Sequence, residues 1–448
     1  MTDISTSRLF FAPKIGLFGL GSSNRALLSL LCERGLQDRA VLRSEEKIPK
    51  ELIPFGVRAV YEKERAFDNL TEDLLVLSPS VRRERAELSP IFKEGKTTSD
   101  CELFFELCTL PTFAVTGSDG KSTTATLAAK MLEKCKSGVK LIGNIGVPML
   151  PALPYGETFV TELSSFNLHY LNAGFTRAAV TNITPNHLNF HKDMKEYADA
   201  KLSALSRARE PVVFSDGDIL SEYAERKPVY AVASVNESFD AARKKYRAEI
   251  FLTLENGILK RCGEPLFDIS HLKNQNKNYI KNLMTAAALS DGFADREVIL
   301  SVAEDFTGLS HRCELFLSAG GVDFIDSSID TTPARCISSV VGIEKPVVLL
   351  LGGRGKGVSY APLGAALKDR VRLAILFGED REKIATALDG KIPYLTEYDF
   401  TAAVLKALSL VNSGEALVLS PAATSYDSFR SFEERGDLFK KIIKESRT

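Results

Sequence analysis

The segment Ala114-Val115-Thr116-Gly117-Ser118-Asp119-Gly120-Lys121-Ser122-Thr123-Thr124 has the make-up of a phosphate cradle. Gly117 and Gly120 let the chain turn tightly around Ser118 and Asp119, so that backbone N–H groups and a helix N-terminus converge on phosphate oxygens. Lys121 adds a point charge, and Ser122 or Thr123 offers a hydroxyl to Mg²⁺. The strict phosphate-loop pattern G-x-x-x-x-G-K-[ST] has glycine where Val115 stands, so the form here is T-G-x-x-G-K-S-T.

Downstream, Thr161-Glu162-Leu163-Ser164-Ser165-Phe166 places a carboxylate at a strand end. In a nucleotide-hydrolysing fold Glu162 suits Mg²⁺, which takes oxygen ligands beside phosphate. In Thr181-Asn182-Ile183-Thr184-Pro185-Asn186-His187-Leu188-Asn189-Phe190-His191, Pro185 and Asn186 argue for a loop or first helical turn. His187, His191 and a glutamate leave zinc open, but no H-E-x-x-H pattern exists, and magnesium beside ATP also accounts for the glycine loop. Lys201, in Tyr197-Ala198-Asp199-Ala200-Lys201, reads locally as a solvated helical lysine.

These residues need elements to hold them. Pro111-Thr112-Phe113 leads into a strand before the cradle, and Ala125 to Leu132 has helical spacing after it. Thr158-Phe159-Val160-Thr161 and Ala178-Ala179-Val180-Thr181 read as further strands, whose C-terminal ends are where open α/β sheets place ligands. Residues 222–270 read as short alternating strands and turns, and Asn278 to Ser290 as a helix. Nearer the N-terminus, Lys14 to Gly21 is a strand entering a glycine turn, Arg25 to Cys32 a helix, and Leu74-Leu75-Val76-Leu77 a buried strand before Ser78-Pro79. Gly19-x-Gly21-x-x-Asn24 lacks the third glycine of a dinucleotide fingerprint, and the strand Ala40-Val41-Leu42 ends at Arg43 instead of an acid, so dinucleotide binding is not expected. After Gly308, apolar runs ending in Gly, Asp or Ser recur at 321–326, 346–357, 372–378 and 416–422, the grammar of a parallel sheet.

A chain of 448 residues suggests about three domains at roughly 150 residues each. The boundaries fall at 1–99, 100–308 and 309–448, all α/β, with a Rossmann-like first and last domain and a phosphate-loop ATPase-like centre. Lys and Arg total 57 against 58 Asp and Glu, which leaves no global field for nucleic acid or an acidic membrane. No run approaches the ~20 apolar residues of a membrane span, and Met1 to Arg8 is too polar for a signal peptide. Seven cysteines without a C-x-x-C pair imply a reducing compartment. The expectation is a cytoplasmic protein, monomeric, not inserted in a membrane.

In order along the chain, T-G-S-D-G-K-S-T, the Gly143 to Gly146 turn, T-E-L-S-S-F, N-I-T-P-N-H-L and Ala200-Lys201 closely resemble the Mur ligase family. The resemblance implies an ADP-forming ligase that activates a carboxylate with ATP as an acyl phosphate and lets an amine attack it. It places Lys121 on the terminal phosphates, Ser122 and Glu162 by one Mg²⁺ and His187 by a second. It makes Lys201 the bearer of a carbamate formed from CO₂. The usual N-H-L-D-R-H becomes Asn186 to His191, with Asn189 and Phe190 for an acid and a base. The adenine motif H-N-x-x-N appears as Lys277-Asn278-Tyr279-Ile280-Lys281-Asn282, with Asn278 reading the adenine edge; its local alternative is a helix N-cap.

The C-terminal third narrows the resemblance to the family's D-glutamate-adding branch. Phe306 to Glu314 is similar to the F-x-G-L-P-H-R-x-E junction, whose arginine, here Arg312, reaches ATP phosphates. Ser420-Pro421-Ala422-Ala423-Thr424-Ser425-Tyr426-Asp427-Ser428-Phe429-Arg430-Ser431-Phe432-Glu433-Glu434-Arg435-Gly436 resembles the motif in which a serine (Ser425) and a phenylalanine (Phe432) hold D-glutamate. Lys356 and Thr331 match two further glutamate contacts. The family's N-D-S-K-A-T-N is represented by Asp326-Ser327-Ser328-Ile329-Asp330-Thr331-Thr332, where Ser327 stands in place of the usual acid and Asp326 or Asp330 is the substitute nucleotide contact. Gly21, Ser22, Ser80 and Asn144 fall where the family binds the uridine diphosphate of UDP-N-acetylmuramoyl-L-alanine, while Arg43 stands where an acidic uracil contact is expected. The rival readings are a sister ligase or folylpolyglutamate synthase with another acceptor, and a phosphate-loop ATPase serving a regulatory partner.

Overall fold

The computed structural model describes residues 3–48, 50–188, 190–272, 274–306, 308–355 and 358–447. Lys356, Asn189 and Thr307, singled out above, lie outside the described residues. The chain forms two compact units, 1–306 and 307–448. The segments expected as first and second domains fall within one unit, each with its own sheet.

The first sheet runs Arg58–Val60, Ala40–Arg43, Ile15–Phe18, Leu74–Leu77, Thr97–Thr98, parallel throughout. Its two central strands are uninterrupted apolar runs buried at every position, as strands covered on both faces must be. The helix Ser22–Glu33 follows, with Gly21 as its N-cap. Asn24, which stands where a third fingerprint glycine would be, is buried. Its amide donates to the Phe18 carbonyl at 3.0 Å and the Gly19 carbonyl at 2.8 Å, so the side chain braces the turn it would obstruct in a dinucleotide fold.

The second sheet has nine strands among the described residues. Thr112–Thr116 lies between Phe175–Val180 and Thr158–Glu162, with parallel register pairing Val115 to Glu162 and Thr116 to Val180. The three C-terminal ends therefore open side by side, and the loops they feed share one edge. The helix Lys121–Cys135 leaves the central strand, and the helix Lys277–Leu289 packs on it. The segment read as strands and turns at 222–270 overlaps the helix Asp218–Arg226 and contains the helix Phe239–Lys245. Between and after them, Val229–Ser234 and Ala248–Glu255 extend the sheet in parallel before an antiparallel edge. The short connections gave these amphipathic helices little sequence in which to declare their period.

The C-terminal unit carries a six-stranded sheet in the order Glu314–Ala319, Val322–Asp326, Ala416–Leu419, Val347–Gly352, Val371–Phe377, Tyr394–Thr396. Only the Glu314–Ala319 edge pairs antiparallel. Leu349, Leu351, Leu376 and Val418 lie in the core on one face, and Val348, Leu350, Ile375 and Leu417 in that on the other.

Candidate active site

The strand Thr112–Thr116 is buried throughout and releases the chain at Gly117, φ +150°; Gly120, φ +78°, then caps the helix Lys121–Cys135 without a side-chain bond. The first N–H groups of that helix are left for a ligand. Both glycines are demanded by neighbours as well as by backbone conformation. A Cβ on Gly117 would lie 1.9 Å from Thr181 Oγ1, and one on Gly120 would lie 2.2 Å from Asn282 Oδ1. Asn182 clamps the loop, accepting from Asp119 N–H at 2.9 Å and donating to the Asp119 carbonyl at 3.0 Å. Ser118 Oγ accepts from Thr184 N–H at 2.9 Å and meets the Tyr197 hydroxyl at 2.8 Å. Lys121 Nζ donates to the carbonyls of Gly117 and Ser118, at 3.0 and 2.9 Å, folding its charge over the cradle. Gly117→Ala is expected to raise KM for ATP about 10–100-fold, the effect of one to three kcal/mol of local strain. An ATP titration of ADP formation checks it, and an unchanged KM would contradict a phosphate-holding role for this turn.

Lys201 does not behave as a solvated lysine. It is 2% exposed, on the helix Met194–Ser206, and donates to the Gly117 carbonyl at 2.7 Å. Burial, then the Lys121 charge, push its amine down to about 7 despite Asp119 and Glu162. Glu162 ends its strand in register with Val115, is 4% exposed, and keeps Oε2 without a hydrogen-bond partner. A buried carboxylate oxygen left unpaired is costly in an apolar setting and suits a cation. Ser122 and Thr123 lie half-buried in the first turn of the phosphate-loop helix. This donor set, hydroxyls and a buried carboxylate beside a phosphate cradle, fits Mg²⁺.

His187 is exposed at φ +55°, with its ring 4.9 Å from that of Phe166. His191 is separated from it in role. It is 1% exposed, bonds Ser165 Oγ through Nε2 at 2.9 Å, and faces Glu196 from Nδ1 at 3.4 Å. Burial, reinforced by His169, lowers its imidazole to about 4. Among the described residues His187, His191 and Glu162 do not gather as one metal cluster; His191 groups with His169 and Glu196. Glu196 already accepts from Arg82 and from Lys192 N–H, which leaves little capacity for a cation. Asn278 is not the cap of its helix. Asn276 is, accepting from Asn278 N–H at 2.9 Å. Asn278 is exposed one turn before Asn282, the residue that touches Gly120 and Thr124, so both share a helix face.

At the first sheet, Gly21, Ser22 and Ser80 are exposed beyond the C-terminal strand ends, and Asn144 is exposed after Val139–Gly143, its N–H on the Glu162 carbonyl at 3.1 Å. Arg43 faces inward. It is 3% exposed, paired with Glu72 at 2.5 Å, and donates to the carbonyls of Ala66, Asp68 and Asn69 at 3.0, 2.9 and 3.2 Å. The replacement noted at the uracil position is thus an internal brace of the 66–72 segment.

In the C-terminal unit three neighbouring strands, Val322–Asp326, Ala416–Leu419 and Val347–Gly352, deliver the segments carrying Thr331, Ser425 and Arg354. Arg435, within the C-terminal motif, binds these segments together. It is fully buried and donates to Ser328 Oγ and carbonyl at 3.1 and 3.0 Å, to the Ala423 carbonyl at 3.1 Å and to the Gly352 carbonyl at 3.4 Å. Ser425 is buried, Thr331 half-buried, and Phe432 opens the helix Phe432–Arg447, its carbonyl taking the Ser328 hydroxyl at 2.7 Å. Asp326, expected at the nucleotide, has no exposed surface. It accepts from Ser328 N–H at 2.9 Å and pairs with His311 Nδ1 at 2.7 Å, so its carboxylate is occupied inside the unit. Arg312, next to that histidine, is exposed.

The chain belongs to the Mur ligase family: the family's middle domain matches residues 115–289, and curated members align along almost the whole chain. The UDP-N-acetylmuramoylalanine–D-glutamate ligase of Acetivibrio thermocellus is 34% identical over 453 residues, and that of Clostridium botulinum (strain Kyoto / Type A2) 31% over 448, each alignment covering 96% of both chains. Among solved structures, the UDP-N-acetylmuramate–alanine ligase MurC of Thermotoga maritima gives a TM-score of 0.57 at 17% identity, covering 97% of this chain and 99% of its own. The MurF ligase of the same organism gives 0.55 at 15% identity over the full length of both. These likenesses establish the α/β fold with its Rossmann-like sheets. Among the described residues no helix is long and apolar enough to cross a membrane.

Proposed function

We propose that the protein joins D-glutamate to UDP-N-acetylmuramoyl-L-alanine with consumption of ATP, in the synthesis of peptidoglycan precursors. The observation that carries this reading is the buried group at the phosphate loop: Lys201 on the Gly117 carbonyl, Lys121 beside it, and the unpaired Glu162 oxygen. A switch ATPase needs the cradle but gains nothing from a second buried lysine with an amine poised near neutrality. A neutral amine attacks CO₂, forming an N–C bond and releasing one proton, and the product is an anion that still has an N–H for the Gly117 carbonyl. In this reading Ser122, Glu162, His187 and carbamoylated Lys201 would hold two Mg²⁺ ions, which would supply charge neutralisation as phosphate is transferred.

The chain's own residues then have defined tasks. Lys121 and the N–H groups after Gly117 hold the ATP phosphates, Asn278 takes the adenine edge, and Arg312 is the phosphate-binding cation of the C-terminal unit. Gly21, Ser22, Ser80 and Asn144 bind the uridine diphosphate. Thr331, Ser425, Phe432 and Lys356 bind D-glutamate, a dianion that needs a cation and several hydrogen-bond donors. The substrate carboxylate attacks the terminal phosphorus and ADP leaves. The glutamate amine then attacks the acyl carbon, loses a proton, and inorganic phosphate departs.

The support for D-glutamate is the Ser425–Phe432 motif together with the names of the relatives. ADP formation with UDP-N-acetylmuramoyl-L-alanine is expected with D-glutamate and not with L-glutamate, L-lysine or meso-diaminopimelate. ¹⁸O in the substrate carboxylate should appear in the released phosphate. Turnover without any amino acid would favour the ATPase reading, and a different preferred acceptor a sister ligase.

A further inference from the structure

Arg82 lies just beyond Ser80, where the chain leaves the strand Leu74–Leu77, and none of the motifs above includes it. Its guanidinium forks onto Glu196, Nη1 to Oε2 at 3.1 Å and Nη2 to Oε1 at 3.2 Å. Nη1 also donates to the Phe190 carbonyl, and the guanidinium carbon is 5.3 Å from the Phe190 ring centroid. Arg82 and Glu196 side chains are only 20% and 19% exposed, so the pair is partly desolvated and its two-point geometry directional. Glu196 is held at about 2: partial burial raises its carboxyl, and the bonds from Arg82 and Lys192 N–H outweigh that.

Both ends of this grip lead to the candidate metal site. Glu196 is in the first turn of the helix Met194–Ser206, whose next residue, Tyr197, meets Ser118 Oγ and whose Lys201 holds the Gly117 carbonyl. Phe190 closes the turn of His187, donating N–H to the His187 carbonyl at 3.0 Å. One guanidinium therefore ties the segment after Ser80 to the helix of Lys201 and the turn of His187.

We propose that Arg82 is a positioning residue that couples the uridine-substrate segment to the metal site, so that UDP-N-acetylmuramoyl-L-alanine and the divalent cation tighten each other's binding. The inference rests on the functional reading above. Such coupling is reciprocal by linkage. The adjacent anchors, Arg83 to Glu102 at 2.9 Å and the Arg83 N–H to the Tyr170 hydroxyl at 3.0 Å, do not pass through the Arg82 side chain and should keep the fold in its variants.

Mn²⁺ titrations of the full-length protein with a non-hydrolysable ATP analogue, followed by water proton relaxation, test it directly. In the wild type, saturating UDP-N-acetylmuramoyl-L-alanine is expected to lower the Mn²⁺ Kd several-fold. In Arg82→Ala the Kd should rise about tenfold and lose its response to that substrate, while KM for D-glutamate stays within threefold. Arg82→Lys keeps the charge without the fork and should recover only part of the effect; Glu196→Ala should resemble Arg82→Ala, and the double variant should be no worse. A wild-type Mn²⁺ Kd and substrate response in a folded Arg82→Ala would overturn the coupling, as would a loss that spreads equally over all substrates. Wild-type protein without metal-dependent ADP formation would instead overturn the functional reading beneath it.

Discussion

Lys201→Ala is expected to lower ADP formation by about 10²–10³-fold, the usual effect of removing one preorganised charge-stabilising group. Formate or acetate should restore part of the rate by occupying the position of the carbamate carboxylate. The same site predicts an opposite effect on stability. The buried amine sits at about 7 against an ordinary 10.5, so between those values the unfolded chain binds the extra proton and folding stability rises with pH. Lys201→Met lacks that slope. In CO₂-free buffer it should melt several degrees higher than wild type at pH 7, and the advantage should fade toward pH 10.5. Full activity of unrescued Lys201→Ala would remove the carbamate role. A Lys201→Met variant that melts lower at pH 7 would show that the lysine stabilises the fold.

Half of this site was legible in the sequence because it follows strand grammar. Gly117 and Glu162 stand directly at strand ends and Lys121 opens the helix that follows the first of them; short buried strands fix the edge of a parallel sheet, and register between neighbours does the rest. Lys201 was not legible from its own neighbourhood. A lysine in Ala-Asp-Ala-Lys carries no local mark of burial, and only the family resemblance raised it. Its environment is made by Gly117, some eighty positions away in sequence. The role of Arg435 is not legible for the same reason, since it donates to backbone carbonyls of segments distant in sequence and a carbonyl has no residue type to read, while the Glu196 that Arg82 grips lies more than a hundred positions away.

Two local readings shift by a residue or two for related reasons. Asp326, an acid one position from where an acid is usual, is expected at the nucleotide, yet a one-residue shift at a strand end turns a side chain to the opposite face. It accordingly points to His311 and Ser328 inside the unit. The local alternative for Asn278, a helix cap, falls instead to an asparagine two positions earlier. Local chemistry identified the kind of residue; the helix phase decided which copy.

Glu72→Ala is expected to destabilise the protein by about 3–5 kcal/mol, since it would leave the Arg43 guanidinium buried without its counter-charge. The two side chains are 4% and 2% exposed, which removes the solvent screening that makes surface pairs cheap to break. Glu72→Gln keeps an amide oxygen for Arg43 Nε, and the carbonyls of Ala66, Asp68 and Asn69 keep their donors, but it too removes the counter-charge, so it should cost less than Glu72→Ala while still destabilising the fold. Denaturant unfolding of the two variants checks the difference, with KM for UDP-N-acetylmuramoyl-L-alanine as the second readout. An Arg43 that read the uracil would shift that KM strongly in both variants. An Arg43 that braces the 66–72 segment leaves the Glu72→Gln KM near wild type, and assigns base recognition to the exposed strand-end turns of the same sheet.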